Sequence, residues 1–271
     1  MSLFKKTLSN LGIGDAKVDA EVTGNVLLPG QNNTMIIHLY GGAHVQRIER
    51  VEVNLQCRYW SETAIPPVDD EALEPIAPKR YESWSPLFEW QHNTPFEIGS
   101  GQRHDLSIDV MVPWNTPVTI DDAKLWLEIT IVDTNGKKTI EYQSLTVRPE
   151  SLMDTVLTSL ESNGFRLRQV KCEALDGFIS PYAQTFEWVP VDGPFHGCLR
   201  ELTVLMYREQ DHLKLWFDVD RRQRGELDML ASAVVKGRYL HYLCFHEGLA
   251  DSDIVTQLNA VLEQCESEIA Y

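Results

Sequence analysis

Four side chains near residue 245 are of the kinds that hold transition metals: His241, Cys244 and His246, with Glu247 after them, in HYLCFHE. Along an extended strand, residues 244 and 246 share a face and 241 falls on the other, so one ion would reach them all only if the chain bent. No second cluster at zinc spacing stands elsewhere, and the expectation is a chain without bound metal or other cofactor. His38, His44, His92 and His104 are isolated, which suits hydrogen-bonded packing better than ligation. Hydrolytic chemistry needs positioned groups, and the chain carries no G-x-S-x-G, P-loop, H-E-x-x-H or dinucleotide fingerprint. With forty Asp and Glu residues some pair of acids must lie close, so nearness of two carboxylates says little about glycoside cleavage. No catalytic residue is assigned.

Two other stretches suggest binding. YESWSPLFEW carries Tyr81, Trp84, Phe88 and Trp90; on one open face they would stack on sugar rings, and otherwise they fill the core and rim of a β-sandwich. DVDRRQRG is the second. In HLKLWFDVD the inward register is Leu213, Leu215, Phe217 and Val219, which puts Asp218, Asp220 and Arg222 on the outer face and Arg221 on the inner register. A guanidinium does not stay in an apolar core, so Arg221 is expected to leave the sandwich end and find a carboxylate or carbonyl. Arg222 and Arg224 would relieve the repulsion between Asp218 and Asp220. These five residues are the candidate contacts between domains or with a partner, the alternative being a solvated turn.

These residues sit in a chain of 271 residues with 43% hydrophobic content, long enough for about two domains with real cores. The formal charge is −16, with 13 basic and 20 acidic groups in residues 1–149 and 11 and 20 in residues 150–271. Neither half offers a phosphate backbone a basic face, which disfavours nucleic acid as partner. No apolar stretch is long enough to span a bilayer, and MSLFKKTLSNLGIG lacks a continuous apolar core and a small-residue cleavage site, so a cytoplasmic protein is expected. The five cysteines are odd in number and hold no CxxC, which suits free, mostly buried thiols.

The positioning elements are mostly strands. Val51, Val53, Leu55, Cys57 and Tyr59 alternate with Glu52, Asn54, Gln56 and Arg58, the mark of a half-buried antiparallel strand. DLSIDVMVP and KLWLEITIVD repeat the pattern, and Asp133-Thr-Asn-Gly136 joins the latter to KKTIEYQSLTV as a hairpin. Residues 61–79 hold four prolines and an acidic run and are expected to form a long exposed excursion. After Val-Arg-Pro-Glu at 147–150, Leu152, Val156, Leu157 and Leu160 fall at helical spacing with Gly164 at the end. Strands return in GFRLRQVKCE, TFEWVP, CLRELTVLMYR and HLKLWFDVD, which predicts a second sandwich. A final helix in SDIVTQLNAVLEQCESE carries one apolar stripe, for its own domain or for a second copy of the chain in a homodimer. At the start, Leu3, Phe4, Leu8 and Leu11 are close to helical spacing, and docking onto the first domain is favoured over a membrane surface.

FKKTLSNLGIGDAKVDAEV with LLPGQ, GGAHVQRIERVEVNL, LESNGFRLRQV, TFEWVPVDGPFHGCLRELTV and DVDRRQRGELDML together resemble the bacterial sporulation-control proteins of the SpoOM type, from residue 4 to about 230. GIGDAKVD and DVDRRQRG are the most specific pieces. The resemblance implies an arrestin-like fold and a regulatory role without catalysis. It coincides with the architecture that alternation gives: an all-β chain of two tandem β-sandwich domains, 1–149 and 150–271, with short helices at the N-terminus, at the junction and at the C-terminus. The function expected is a non-enzymatic scaffold that binds a protein partner through strand edges or an interdomain groove. The rival from another class is a carbohydrate-binding or glycoside-hydrolysing sandwich, which an exposed aromatic row beside carboxylates would favour.

Overall fold

The computed structural model of the chain describes residues 17–22, 26–62, 79–197, 199–218 and 241–269. The expected N-terminal helix, most of the 61–79 excursion and Asp220, Arg221, Arg222 and Arg224 lie outside them. The elements in chain order are β1 (Lys17–Val22), β2 (Asn32–Tyr40), β3 (Gln46–Glu62), β4 (Arg80–His92), β5 (Phe96–Ile98), β6 (Arg103–Met111), β7 (Lys124–Asp133), β8 (Lys138–Leu145), α1 (Ser151–Ser162), β9 (Phe165–Ala174), β10 (Tyr182–Pro190), β11 (Leu202–Arg208), β12 (His212–Asp218), β13 (His241–His246) and α2 (Asp251–Ile269).

Alternation in the first half produces a sandwich. A three-stranded antiparallel sheet in the order β1-β2-β6 lies over strands β3, β7 and β8. Met35, Ile37 and Leu39 of β2 and Leu106, Ile108 and Val110 of β6 meet Val51, Val53, Leu55, Leu125, Leu127 and Ile129 in one buried core. From Arg50 onward the even-numbered residues of β3 face the other way. The Asp133–Gly136 hairpin forms as its sequence demands: the Asp133 carboxylate accepts from the N–H groups of Asn135 and Lys137 at 2.8 and 2.9 Å, pinning the turn between β7 and β8.

β4 departs from simple alternation. It pairs with β3 from Arg80↔Glu62 to His92↔Val51, but the register shifts between Leu55 and Gln56, so Leu87 is an extra residue. A bulge of this kind moves the inward set from one parity to the other. Ser83 and Ser85 point inward before it and Phe88 and Trp90 after it, while Glu82, Trp84, Glu89 and Gln91 are exposed. The four aromatics of YESWSPLFEW therefore do not share a face.

β3 outruns β7 and meets β9 in parallel at Trp60↔Glu173, joining the antiparallel strands β9 to β13 to the same ten-stranded sheet. All four strands expected in the second half form. One face of this five-stranded region is covered by α1 and α2: Val156, Leu160, Ile254, Leu258 and Leu262 pack with Phe186, Trp188, Val204 and Phe217. No second sheet faces these strands among the described residues. The α2 stripe is thus covered within its own chain. Glu150 caps α1 by accepting from the N–H groups of Leu152 and Met153 at 3.1 and 3.0 Å. Gly164 turns the chain into β9 at φ 85°, where a Cβ would meet the Asp192 carbonyl oxygen at 2.0 Å.

Candidate functional site

The loop between β6 and β7, PWNTPVTIDDA, has prolines at 113 and 117 that bar it from a sheet interior, and it crosses instead into the second core. Trp114 lies against Gly30, where a Cβ would come within 2.4 Å of the indole. The guanidinium of Arg208 also stacks on this indole, at 4.3 Å. Arg208 is buried, sits 3.1 Å from Glu150, and donates to the Glu209 and Gln210 carbonyls. A lone buried guanidinium would be costly; the carboxylate, the two carbonyls and the ring face offset that cost. Asn115 then donates to Ser180.

Further along, Val118 is fully buried in the second core, and its backbone N–H and C=O are both matched by Gln184, each at 2.9 Å. The face of β10 that carries Gln184 explains this. Tyr182 on that face joins the first core, Phe186 and Trp188 join the second, and Gln184 stands between them. β9 crosses the same seam with Cys172 in the first core and Val170 in the second. Asp121 adopts a left-handed φ of 53°, and its carboxylate accepts from the Val170 N–H at 3.3 Å.

Asp122 anchors the other end of the seam. Its carboxylate accepts from Arg58 at 2.6 Å and from the Trp60 indole N–H, and its carbonyl accepts from Arg58 at 2.6 Å. Arg58 also donates to Glu82 at 2.9 Å. The Trp60 ring lies near two guanidinium groups, Arg58 at 5.3 Å and Arg80 at 4.7 Å, and Arg80 reaches the buried carboxylate of Glu173 at 2.7 Å. Charge-assisted and cation–π contacts of this kind gain strength where water is excluded. β3, β4, β9 and the 113–123 loop thus meet in one ionic clasp whose charges are paired. Beneath it the Tyr182 hydroxyl lies beside the Cys57 thiol; burial pushes Cys57 up to about 12 and raises Cys172 and Tyr182 as well, so all three stay protonated.

The 113–123 loop runs along the line where the two cores meet. Of the five candidate contact residues only Asp218 is described, and it is 3% exposed rather than on an outer surface. The correction has a clear cause: Trp216, Asp218 and every residue of β11 are buried, so this part of the sheet is covered on both faces and has no solvent register. Nearby, Glu187 is fully buried and pairs with Arg168 at 2.8 Å and Lys171 at 2.6 Å. β13 places Cys244 and His246 on one face and buried His241 on the other; no three metal-ligating side chains converge among the described residues. The run of aromatics splits, Phe88 and Trp90 against the first core and Trp84 outward. Sequence reasoning missed Trp114, Asp122, Glu173 and Gln184. The one signal for them was a tryptophan between two prolines in a short link joining two alternating strands.

The family model described as SpoOM protein matches residues 4–223. The chain belongs to the SpoOM protein family. A curated member, the sporulation-control protein spo0M of Bacillus subtilis strain 168, is 28% identical over 267 residues, covering 97% of each chain. The crystal structure of Spo0M, sporulation control protein, from Bacillus subtilis superposes with a TM-score of 0.73 at 25% identity, over 95% of this chain and all of that one. The fold is the arrestin-like, mostly β arrangement that the family resemblance implied. No helix among the described residues is long and apolar enough to cross a membrane.

Proposed function

We propose that this sporulation-control family member is a non-catalytic cytoplasmic scaffold, built from lobes at 1–149 and 150–271, that docks a protein partner along the free edge of β4. The observation that carries the reading is the edge itself: among the described residues the 13-residue β4 pairs with β3 alone, leaving its other side open, with Tyr81 48% exposed at one end. An open edge offers main-chain donors and acceptors to an extended peptide. Pro86 and the Leu87 bulge interrupt it, which limits indiscriminate pairing with other edges. The seam supports the same reading, since a clasp of paired charges fixes the lobes and leaves the edges as the surface to use. Asp218, Asp220, Arg221, Arg222 and Arg224 are proposed as further interlobe or partner contacts.

A photo-crosslinking amino acid at position 81, in the full chain expressed in its native host, tests the edge. One cytoplasmic protein should be captured, and the same probe at Ile179, 92% exposed and far along the chain, should not capture it. Equal capture from both positions, or none from position 81, refutes edge docking. Arg221→Ala with Arg222→Ala should weaken that capture if the arginines take part.

A further inference from the structure

The outer face of β4, β3, β7 and β8 carries three aromatic rings on a diagonal. The registers fix their places: Trp84 lies opposite Arg58, Gln56 lies opposite Trp126, and Tyr142 lies opposite Glu128. With strands about 4.8 Å apart and about 3.4 Å per residue, Trp84 and Trp126 are spaced by about 12 Å and Trp126 and Tyr142 by about 8 Å, in nearly one line. Trp84 is 43% and Tyr142 54% exposed, and Trp126 is half-buried. Among the described residues no hydrogen bond, ion pair or ring contact engages Trp84 or Trp126, so their indole faces and N–H groups are available.

Between the rings the face is polar. Asn54 donates to Glu128 at 3.3 Å, Glu128 accepts from Tyr142, and Gln56, Glu89, Gln91 and Ser144 lie on the same side of the sheet. Rings standing apart, with Arg58, Gln56, Glu128 and Ser144 set among them, do not make the contiguous desolvated centre of a protein interface. Glu52, Glu82, Glu89 and Glu128 on this face are matched by Arg50, Arg58, Lys124 and Lys138, so it has no excess of either sign to favour a charged polymer. Flat apolar faces alternating with planar hydrogen-bonding groups are what the C–H faces and hydroxyls of a sugar chain require.

We propose that this sheet face is a binding platform for a linear, neutral oligosaccharide lying along the Trp84–Trp126–Tyr142 diagonal, stacked on the rings and held by Gln56, Glu89 and Glu128. The site is separate from the β4 main-chain edge, so the two stand or fall independently. The test is a titration of the full chain with cellohexaose and with N-acetylchitohexaose, followed by tryptophan fluorescence and by calorimetry. Saturable binding to at least one of them is expected, with Trp84→Ala and Trp126→Ala each weakening it about tenfold, equivalent to about 1.4 kcal/mol. Tyr242→Ala, at a 39% exposed aromatic on β13, should leave it unchanged, and circular dichroism should show all variants folded. Absence of saturable binding to both sugars at millimolar concentration overturns the proposal. So does binding that survives the Trp84→Ala, Trp126→Ala double variant, and so does a double variant that loses protein capture at position 81 while no sugar binds.

Discussion

Gln184→Leu removes the two hydrogen bonds by which β10 grips the 113–123 loop. Both partners belong to Val118, which is fully buried, and Gln184 is 5% exposed, so no solvent stands ready to replace the lost bonds. The Val118 N–H would be left buried and unpaired, at about 1–3 kcal/mol, whereas its C=O keeps the Ile120 N–H at 2.9 Å and loses one bond of about 0.5–1.5 kcal/mol. Leucine returns about 1 kcal/mol through added apolar burial, which leaves an expected loss near 2 kcal/mol. In a chain of this size that corresponds to a melting-temperature drop of about 4–8 °C. Urea unfolding followed by both tryptophan fluorescence and far-UV circular dichroism measures it. Gln184→Glu sharpens the test: an ionised carboxylate has no donor for the Val118 carbonyl, whereas the protonated acid supplies one donor and one acceptor. Burial raises a carboxyl pKa in the folded state, so the folded protein binds the extra proton and the Gln184→Glu variant should gain stability relative to the Gln184→Leu variant as pH falls from 8 to 5. A loss below about 1 kcal/mol for Gln184→Leu, or a Gln184→Glu variant without this pH dependence, would refute the idea that these two bonds hold the seam.

Burial and the raised thiol of Cys57 predict that Cys57 and Cys172 resist alkylation in the native chain while half-buried Cys244 reacts before either; mass spectrometry reads the order, and native labelling of Cys57 contradicts it. The Arg103 guanidinium, with His38, holds the Asp105 carboxyl at about 2 against an ordinary 3.8, so its stabilising contribution is complete above about pH 4 and is lost as pH falls through about 2. Carboxyl carbon NMR should show that depression shrink in Arg103→Ala, with His38 left as its remaining cause, and an unchanged titration would exclude Arg103. Gly30→Ala combines a φ of 76° with a Cβ 2.4 Å from the Trp114 ring, so it should cost about 2 kcal/mol or more and disturb Trp114 fluorescence; a variant as stable as the wild type would show that the loop yields freely.

The strands of the first core were legible because each has one wet face: alternation in IERVEVNLQCRYW, DLSIDVMVP and KLWLEITIVD is forced whenever half of a strand's side chains must meet water. The helices α1 and α2 were legible for the same reason at a different period, and Asp133-Thr-Asn-Gly136 specified its turn through a side chain that bonds its own backbone. Where that local logic fails, only tertiary structure decides. Asp218 sits on a strand covered on both faces, so no pattern of wet and dry positions marks its burial. The Leu87 bulge inverts the parity of β4 midway, turning Phe88 and Trp90 inward and Trp84 outward, and one inserted residue in a partner-paired strand leaves no mark in composition. The seam is further still from the sequence. Asp122 meets Arg58 from 64 residues away, Arg80 meets Glu173 from 93, and Gln184 matches Val118 from 66. Polarity and period are local properties written residue by residue, whereas these pairings depend on where a packed sheet brings distant segments to rest.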